Sequence, residues 1–217
     1  MTFMAMPYDE GLCTLISSVV QDVIDVAEGS YKCGTFGPTS LAALAKHLSR
    51  RRVIYSSKTG SGTSKLLFSH CRDQHMVFRI DSGGGSILNV KGSPLLRPDH
   101  VTWVEGPTHL TLSSYRFQHT LQAALIDGPH SYRFPDLEYY YLYQHSDAGA
   151  LFIIDDILIP TIHNLVDSLG CDEIFVLEEA VDTTAFFTRT DAPMFSLSAI
   201  VGGSSDTTRH RSREFSC

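Results

Sequence analysis

The sequence predicts a doubly wound α/β protein in which helices cover both faces of one mostly parallel sheet. Short apolar strands alternate with helical segments along most of the chain, which is typical of parallel βαβ units. The last predicted strand follows its predecessor after a link too short for a crossover helix, which indicates an antiparallel final strand. The chain has 217 residues, of which 43% are hydrophobic, and this suits one domain with a sizeable core.

The first 50 residues are predicted to be helical. Apolar residues recur at three-four spacing from Leu12 to Ile24, which indicates an amphipathic helix. A second helix is expected to begin near Thr39 or Ser40, because either side chain can act as its N-cap. We interpret residues 1–50 as an N-terminal helical extension that could cap the domain that follows.

Alternation of strands and helices begins after Arg52. The predicted strands are Val53–Tyr55, Met76–Ile80, Val101–Val104, Ala123–Ile126, Leu151–Ile154, Ile174–Leu177 and Thr184–Thr188. The predicted helices or turns are Thr63–His70, the region near Ser86–Val90, Leu110–Tyr115, Phe134–His145 and Thr161–Leu169. We therefore expect a ligand-binding domain over residues 51–190 and a C-terminal segment over 191–217. Its tail, from about residue 203, lacks periodicity and is expected to be mobile.

Charge and cysteine usage exclude several classes of protein. The formal net charge is -7 and no predicted helix carries a basic stripe, which argues against a nucleic-acid partner. The five cysteines are scattered without a C-x-x-C pair, so neither a zinc site nor a disulfide framework is indicated. No signal peptide or membrane-spanning run is recognisable. We expect a cytoplasmic protein without a membrane partner that acts on a small molecule; assembly into a homo-oligomer stays open.

A glycine turn follows the first predicted strand. Gly60 and Gly62 allow the backbone to approach a ligand, and a helix begins just after them. A P-loop would need glycine where Ser64 precedes Lys65, and a dinucleotide fingerprint would need glycine at Lys65 itself. Of the three ligand classes that bind at such turns, S-adenosylmethionine is the one that fits the residues present. A turn that merely closes the βα loop is the alternative.

An aspartate ends the second predicted strand. Asp81 lies 19 residues after Gly62, and an acidic residue at about this spacing holds the ribose hydroxyls of a nucleoside. Aspartate at the end of a strand is also a common turn former, but the spacing favours a nucleoside site.

Three further aspartates end the fourth and fifth predicted strands. Asp127 follows Ala123–Ile126, and Asp155 and Asp156 follow Leu151–Ile154. Ligands of open α/β sheets bind beyond the carboxyl ends of the strands, so these carboxylates are expected to converge there. Three converging carboxylates would repel one another without a compensating cation or hydrogen bonds. Oxygen ligands of this kind suit magnesium, calcium or manganese. Helix capping or exposure to solvent is the alternative for each aspartate.

The order of these motifs resembles the class I S-adenosylmethionine-dependent methyltransferases. The segments that carry the resemblance are the glycine turn, Asp81, DGPHSY at Asp127–Tyr132 and GALFIIDD, which ends at Asp156. The branch that it resembles most has D-G-x-H-x-Y after the fourth strand. That branch includes metal-dependent small-molecule and sugar O-methyltransferases and cephalosporin-hydroxylase-like proteins. The resemblance covers roughly Val53 to Thr188.

The resemblance implies a Rossmann-like fold and methylation of a hydroxyl on a small molecule, assisted by Mg²⁺ or Mn²⁺. It implies that Asp127, Asp155 and Asp156 bind the metal and that His130 and Asp127 are catalytic, with His130 as a base or as a residue that positions the cofactor. The cofactor-binding residues that it implies are Thr59, Gly60, Ser61, Gly62, Ser64, Asp81, Ser82, Asp127, Gly128 and His130.

One residue departs from the family pattern. Lys58 stands near the end of the first strand, where the family usually has an acidic residue, and a lysine there is expected to repel the ammonium group of the cofactor. Lys58 therefore favours one alternative, a non-catalytic methyltransferase-like binding or regulatory protein. A second alternative is an NAD-dependent oxidoreductase, which Lys65 at the third glycine position disfavours.

Overall fold

The computed structural model describes residues 19–25, 36–71, 73–79 and 90–193. Residues 19–25 are helical (α1), so the helix predicted from Leu12 to Ile24 is confirmed where it is described. The rest of that helix, Asp81, Ser82, most of the region near Ser86–Val90 and the C-terminal tail lie outside the described residues.

The remaining elements follow in the order predicted. The helices are α2 (Pro38–Ser49), α3 (Ser64–Phe68), α4 (Thr108–Ser114), α5 (Phe134–Tyr143) and α6 (Pro160–Cys171), with one 3-10 turn at Pro98–His100. The strands are β1 (Tyr55–Thr59), β2 (Gln74–Arg79), β3 (Val101–Glu105), β4 (Leu121–Ile126), β5 (Ser146–Ile154), β6 (Phe175–Val181) and β7 (Thr184–Arg189). None of the described helices has the length and hydropathy that a membrane span requires.

All seven strands belong to one sheet in the order β3-β2-β1-β4-β5-β7-β6. Strands β1 to β5 pair in parallel, and β7 pairs antiparallel with both β5 and β6. The predicted fold class, a mostly parallel sheet with an antiparallel last strand, is confirmed. After β3 the chain returns to the other side of β1 and forms β4, so the strand order reverses between β1 and β4. Ligands of such folds bind at that switch point.

Helices cover both faces of the sheet, as predicted. On one face α1, α2 and α3 pack on the sheet through residues such as Leu44, Leu66 and Phe186. On the other face α4, α5 and α6 pack through residues such as Leu142, Phe152 and Leu165. Strand β5, which lies between β4 and β7, contacts both layers, which explains why the end of its sequence is a continuous apolar run.

Two sequence predictions need correction. The first strand is Tyr55–Thr59 rather than Val53–Tyr55. The prediction followed apolar residues, whereas this strand buries polar ones, some of which have partners in the fold; the Ser56 hydroxyl, for example, lies 2.9 Å from the Nδ1 atom of His75. The predicted cap at Thr39 or Ser40 is wrong, since α2 begins at Pro38 with Gly37 as N-cap. Proline suits the first helical position because its φ is already fixed.

Candidate functional site

The glycine turn after β1 lies directly against the end of β4. Gly60 has a φ of 80°, and a Cβ atom there would lie 1.8 Å from the carbonyl oxygen of Asp127. The backbone amide of Asp127 donates a hydrogen bond of 3.0 Å to the Thr59 hydroxyl. Only glycine fits this position, because an added side chain would meet backbone that has no room to move.

The structure brings the three predicted aspartates together. One carboxylate oxygen each of Asp127, Asp155 and Asp156 lies within 4.8 Å of the others, at the carboxyl ends of β4 and β5. Asp155 is buried, and the other two are partly exposed. A set of oxygen ligands of this size fits a hard divalent ion. The metal role of the three residues stays a prediction.

Each of these carboxylates has a partner within the protein. Asp127 Oδ2 lies 3.0 Å from Lys58 Nζ, and Asp156 Oδ2 lies 3.2 Å from His130 Nε2. Asp155 Oδ1 accepts a hydrogen bond of 2.7 Å from the Thr184 hydroxyl. Burial, followed by repulsion from Asp127, raises the pKa of Asp155 to about 7. The carboxylates are therefore held by one buried lysine, one histidine ring and one hydroxyl, and the raised pKa of Asp155 lowers the charge of the cluster.

Lys58 is fully buried on β1, and its charge is neutralised within the site. Its Nζ atom donates hydrogen bonds to the Ser64 hydroxyl at 2.8 Å and to Asp127 at 3.0 Å. A Cβ atom at Gly62 would lie 3.8 Å from this ammonium group. The departure from the family pattern is thus matched by a carboxylate that follows the neighbouring strand β4, 69 residues further along the sequence, and the sequence does not reveal this pairing.

Lys65, which stands where a dinucleotide fingerprint has its third glycine, has a structural role in this protein. It is fully buried in α3 and donates a hydrogen bond to the carbonyl oxygen of Ser61, which pins the glycine turn to the helix. Its ammonium group also lies 5.0 Å from the centre of the Trp103 ring. Burial, followed by repulsion from Lys58, lowers the pKa of Lys65 to about 6.

His130 lies between β4 and α5 and is 39% exposed. The Thr161 hydroxyl donates to the backbone carbonyl of His130 and so ties this loop to α6. Asp156, whose φ is 57°, directs its carboxylate toward the imidazole. This arrangement leaves a partly exposed imidazole oriented by a carboxylate. The nearby helix α6 carries a second histidine, His163, which is exposed and pairs with Asp167.

Glu138, a carboxylate on α5 that is 1% exposed, was not among the residues predicted from the sequence. A Cβ atom at Gly128 would lie 2.1 Å from Glu138 Oε1, so the carboxylate fills the space that Gly128 leaves. The hydroxyls of Thr59 and Thr108 are near enough to lower its pKa, but neither makes a hydrogen bond of regular geometry with it. Burial dominates and raises the pKa of Glu138 to about 7.

The spacing of apolar residues around Glu138 could have indicated that this residue is buried. Pro135 and Leu142, three residues before and four after Glu138, are both buried. Residues at this spacing share one helix face, so a carboxylate between them is expected to be buried as well.

Glu138→Gln is expected to stabilise the protein in a pH-dependent way. The folded-state pKa of about 7 lies above the ordinary value of 4.5, so the folded protein binds more protons between these values and loses stability as the pH rises through this range. The glutamine variant avoids that loss. We expect a gain of about 2 to 3 kcal/mol in the free energy of unfolding at pH 8 and little change at pH 5, measured by urea denaturation.

The control for this prediction is Glu173→Gln, which removes an exposed carboxylate. We expect this variant to unfold like the wild type at both pH values. A gain for Glu138→Gln that is the same at pH 5 and pH 8 would contradict the assignment of a raised pKa.

No protein-family model matches the chain, and no curated protein matches it in sequence. Its structure, by contrast, is similar to solved methyltransferases. A supposed O-methyltransferase from Klebsiella pneumoniae aligns with a TM-score of 0.63 and 14% identity, over 84% of this chain and 97% of its own. The O-methyltransferase from Bacillus cereus, solved with S-adenosylhomocysteine, has a TM-score of 0.61 and 11% identity, over 86% of this chain and 94% of its own.

A third similar structure is more distant. The MycE methyltransferase of the mycinamycin biosynthetic pathway, solved with Mg, S-adenosylhomocysteine and mycinamycin VI, has a TM-score of 0.53 and 13% identity. The alignment covers 91% of this chain and 68% of MycE. Together these similarities establish that the chain has the fold of the class I methyltransferases, as the sequence motifs predicted.

Proposed function

We propose that the chain is an S-adenosylmethionine-dependent methyltransferase that acts on a hydroxyl group of a small molecule. The observation that carries this proposal is the meeting of the glycine turn and three carboxylates at the carboxyl ends of β1, β4 and β5. Sheets of this kind bind their ligands at that edge. The similar structures from Bacillus cereus and the mycinamycin pathway hold S-adenosylhomocysteine, and the second also holds Mg, which supports the same ligands for this chain.

The cofactor is proposed to lie across the glycine turn. Asp127 occupies the space that a side chain at Gly60 would fill, and Asp127 and Lys58 lie where a side chain at Gly62 would point, so the contacts proposed for the cofactor are with the backbone of the turn. Beside this turn, Gly128 and His130 follow β4 and would contact the other side of the cofactor. Thr59, Ser61 and Ser64 complete the predicted contacts, although the Ser64 hydroxyl is already bonded to Lys58. Asp81 and Ser82, outside the described residues, are proposed to hold the ribose.

Methyl transfer requires that the protein position the acceptor hydroxyl against the methyl group and that this hydroxyl lose its proton. S-adenosylmethionine supplies an activated methyl group, and a divalent ion held by Asp127, Asp155 and Asp156 would lower the pKa of the acceptor hydroxyl. His130 is placed to accept the proton that this hydroxyl loses, because its imidazole is partly exposed and oriented by Asp156. Transfer of the methyl group from the sulfur of the cofactor to this oxygen would leave S-adenosylhomocysteine and a methyl ether as the products.

A small organic acceptor suits the surface beside His130. Tyr132 and Leu158 follow His130 and Asp156 by two residues each and are 72% and 74% exposed. We propose that these two exposed side chains, which follow the site residues closely along the chain, contact the organic part of the acceptor. We propose no nucleic-acid partner, since the net charge is -7.

A non-catalytic binding protein with this fold is the second candidate. The observation that favours it is the ion pair between Lys58 and Asp127, which engages one of the three carboxylates with an internal cation. An NAD-dependent oxidoreductase is disfavoured, because Lys65 is buried where that class needs glycine.

Calorimetric titration tests the proposed cofactor. We expect S-adenosylmethionine and S-adenosylhomocysteine to bind and NAD not to bind. Asp81→Ala is expected to weaken cofactor binding by about 1 to 3 kcal/mol, since ribose hydroxyls would lose a partner. Tighter binding of NAD, or an Asp81→Ala variant with unchanged affinity, would contradict the proposed position of the nucleoside. Cofactor binding without methyl transfer to any hydroxylated acceptor would favour the non-catalytic candidate.

A further inference from the structure

Lys58 places a positive charge inside the carboxylate cluster. The residue lies within β1, in register with Val77 on one side and Leu125 on the other, and its side chain is fully buried. Its Nζ atom contacts Asp127 Oδ2 at 3.0 Å and the Ser64 hydroxyl at 2.8 Å. A buried ammonium group with two partners has no freedom to swing into solvent, so its charge stays at the site.

Lys58 and a bound metal ion would face each other across Asp127. Divalent ions lie about 2.0 to 2.6 Å from their oxygen ligands. An ion on Asp127 Oδ2 would therefore lie within about 5 to 6 Å of Lys58 Nζ, since the ammonium group is 3.0 Å from the same oxygen. Two cations at this separation repel each other strongly where water is excluded, and each weakens the attraction between the Asp127 carboxylate and the other.

We propose that the ammonium group of Lys58 competes with the divalent cation for the carboxylate of Asp127. When an ion binds, Asp127 exchanges its contact with Lys58 for a contact with the ion, and Lys58 keeps its hydrogen bond to Ser64. The chain therefore binds its ion more weakly than the three carboxylates alone would allow. This inference rests on the metal role assigned to the aspartates under the proposed function.

The same lysine has a structural use when no ion is bound. Three carboxylates within 4.8 Å repel each other, and Asp155 is held by a hydroxyl rather than by a cation. Lys58 compensates Asp127 on one side of the cluster, and the His130 ring lies 3.2 Å from Asp156 on the other. The folded cluster thus does not depend on the metal, and the ion can exchange.

The affinity for Mn²⁺ of the full chain, measured by electron paramagnetic resonance, tests this inference. We expect Lys58→Met to bind Mn²⁺ about tenfold or more tightly than the wild type, because a buried competing charge is removed. Lys91→Met is the matched control, since Lys91 is partly exposed and pairs with Glu105 instead. It removes the same charge away from Asp127 and is expected to leave the affinity within about twofold of the wild type.

A double-mutant cycle separates direct competition from general repulsion. In the Asp127→Asn background, the contact for which Lys58 competes has lost its charge, so Lys58→Met is expected to gain much less affinity for Mn²⁺. Lys58→Gln, which keeps a hydrogen-bond donor for Ser64, is measured alongside Lys58→Met, and circular dichroism confirms that each variant is folded. A folding defect of one substitution then does not determine the result.

Two results would overturn the inference, and they can be told apart. Equal Mn²⁺ affinity in the wild type and the folded Lys58 variants, or an equal gain in the Asp127→Asn background, refutes the competition alone. Absence of Mn²⁺ binding in every variant refutes the metal role of the aspartates and the inference together.

Discussion

Gly60→Ala is expected to abolish binding of S-adenosylhomocysteine and to lower the free energy of unfolding by about 3 kcal/mol or more. Two costs add at this residue. Its φ of 80° strains any residue that carries a side chain, and the new Cβ atom would lie 1.8 Å from the carbonyl oxygen of Asp127. Relief of this overlap would separate the β1 turn from the end of β4. Urea denaturation and calorimetric titration measure the two effects.

The matched control is Gly170→Ala. Gly170 lies in α6, and a Cβ atom there would meet nothing within 4 Å. Because alanine favours a helix more than glycine does, this variant is expected to gain up to about 1 kcal/mol of stability and to bind the cofactor like the wild type. If Gly60→Ala were as stable as Gly170→Ala, the close contact between the glycine turn and β4 would be refuted.

The sequence predicted the central part of the sheet because the physical signals there are strong. Strand β5 is buried by helices on both faces, so its end reads as the apolar run LFII. The link through Asp182 between β6 and β7 is too short for a helix, so only a hairpin could follow. In these elements, the local sequence pattern and the tertiary environment favour the same types of residue.

Strand β1 shows why other elements were missed. Its sequence YSSKT carries no apolar pattern, and several of its buried polar side chains have partners on other elements of the fold. His75 on β2 meets Ser56, and Asp127 after β4 meets Lys58. Such partners lie far away in the sequence, and a single sequence gives no sign of which side chains pair.

The candidate site was predictable in outline for a topological reason. Parallel strands end at one edge, so aspartates after β4 and β5 had to approach each other, and they do. The partner of each carboxylate was not predictable, since Lys58, His130 and Thr184 reach the cluster from three different elements. Glu138 was missed because a charged residue is ordinarily expected on the exposed face of a helix.

Methyl transfer is expected to be stimulated by Mg²⁺ or Mn²⁺ and lost in excess EDTA. Asp155→Asn should lower the metal-stimulated rate by about 100-fold while changing the affinity for S-adenosylhomocysteine much less. The substitution keeps an oxygen that can accept the hydrogen bond from Thr184 but removes the negative charge that a cation needs. Steady-state rates at several metal concentrations, with calorimetric titration of the cofactor, separate the two effects.

Asp167→Asn is the control for this prediction, because Asp167 is exposed on α6 and its only role in the described structure is a pair with His163. The control is expected to keep the wild-type response to the metal. Full activity in excess EDTA would refute a metal role for the three aspartates. The Lys58–Asp127 and His130–Asp156 pairs would then be the resting arrangement of the site during catalysis, with His130 alone accepting the proton. Equal losses of rate and cofactor affinity in Asp155→Asn would instead place this carboxylate in the cofactor site.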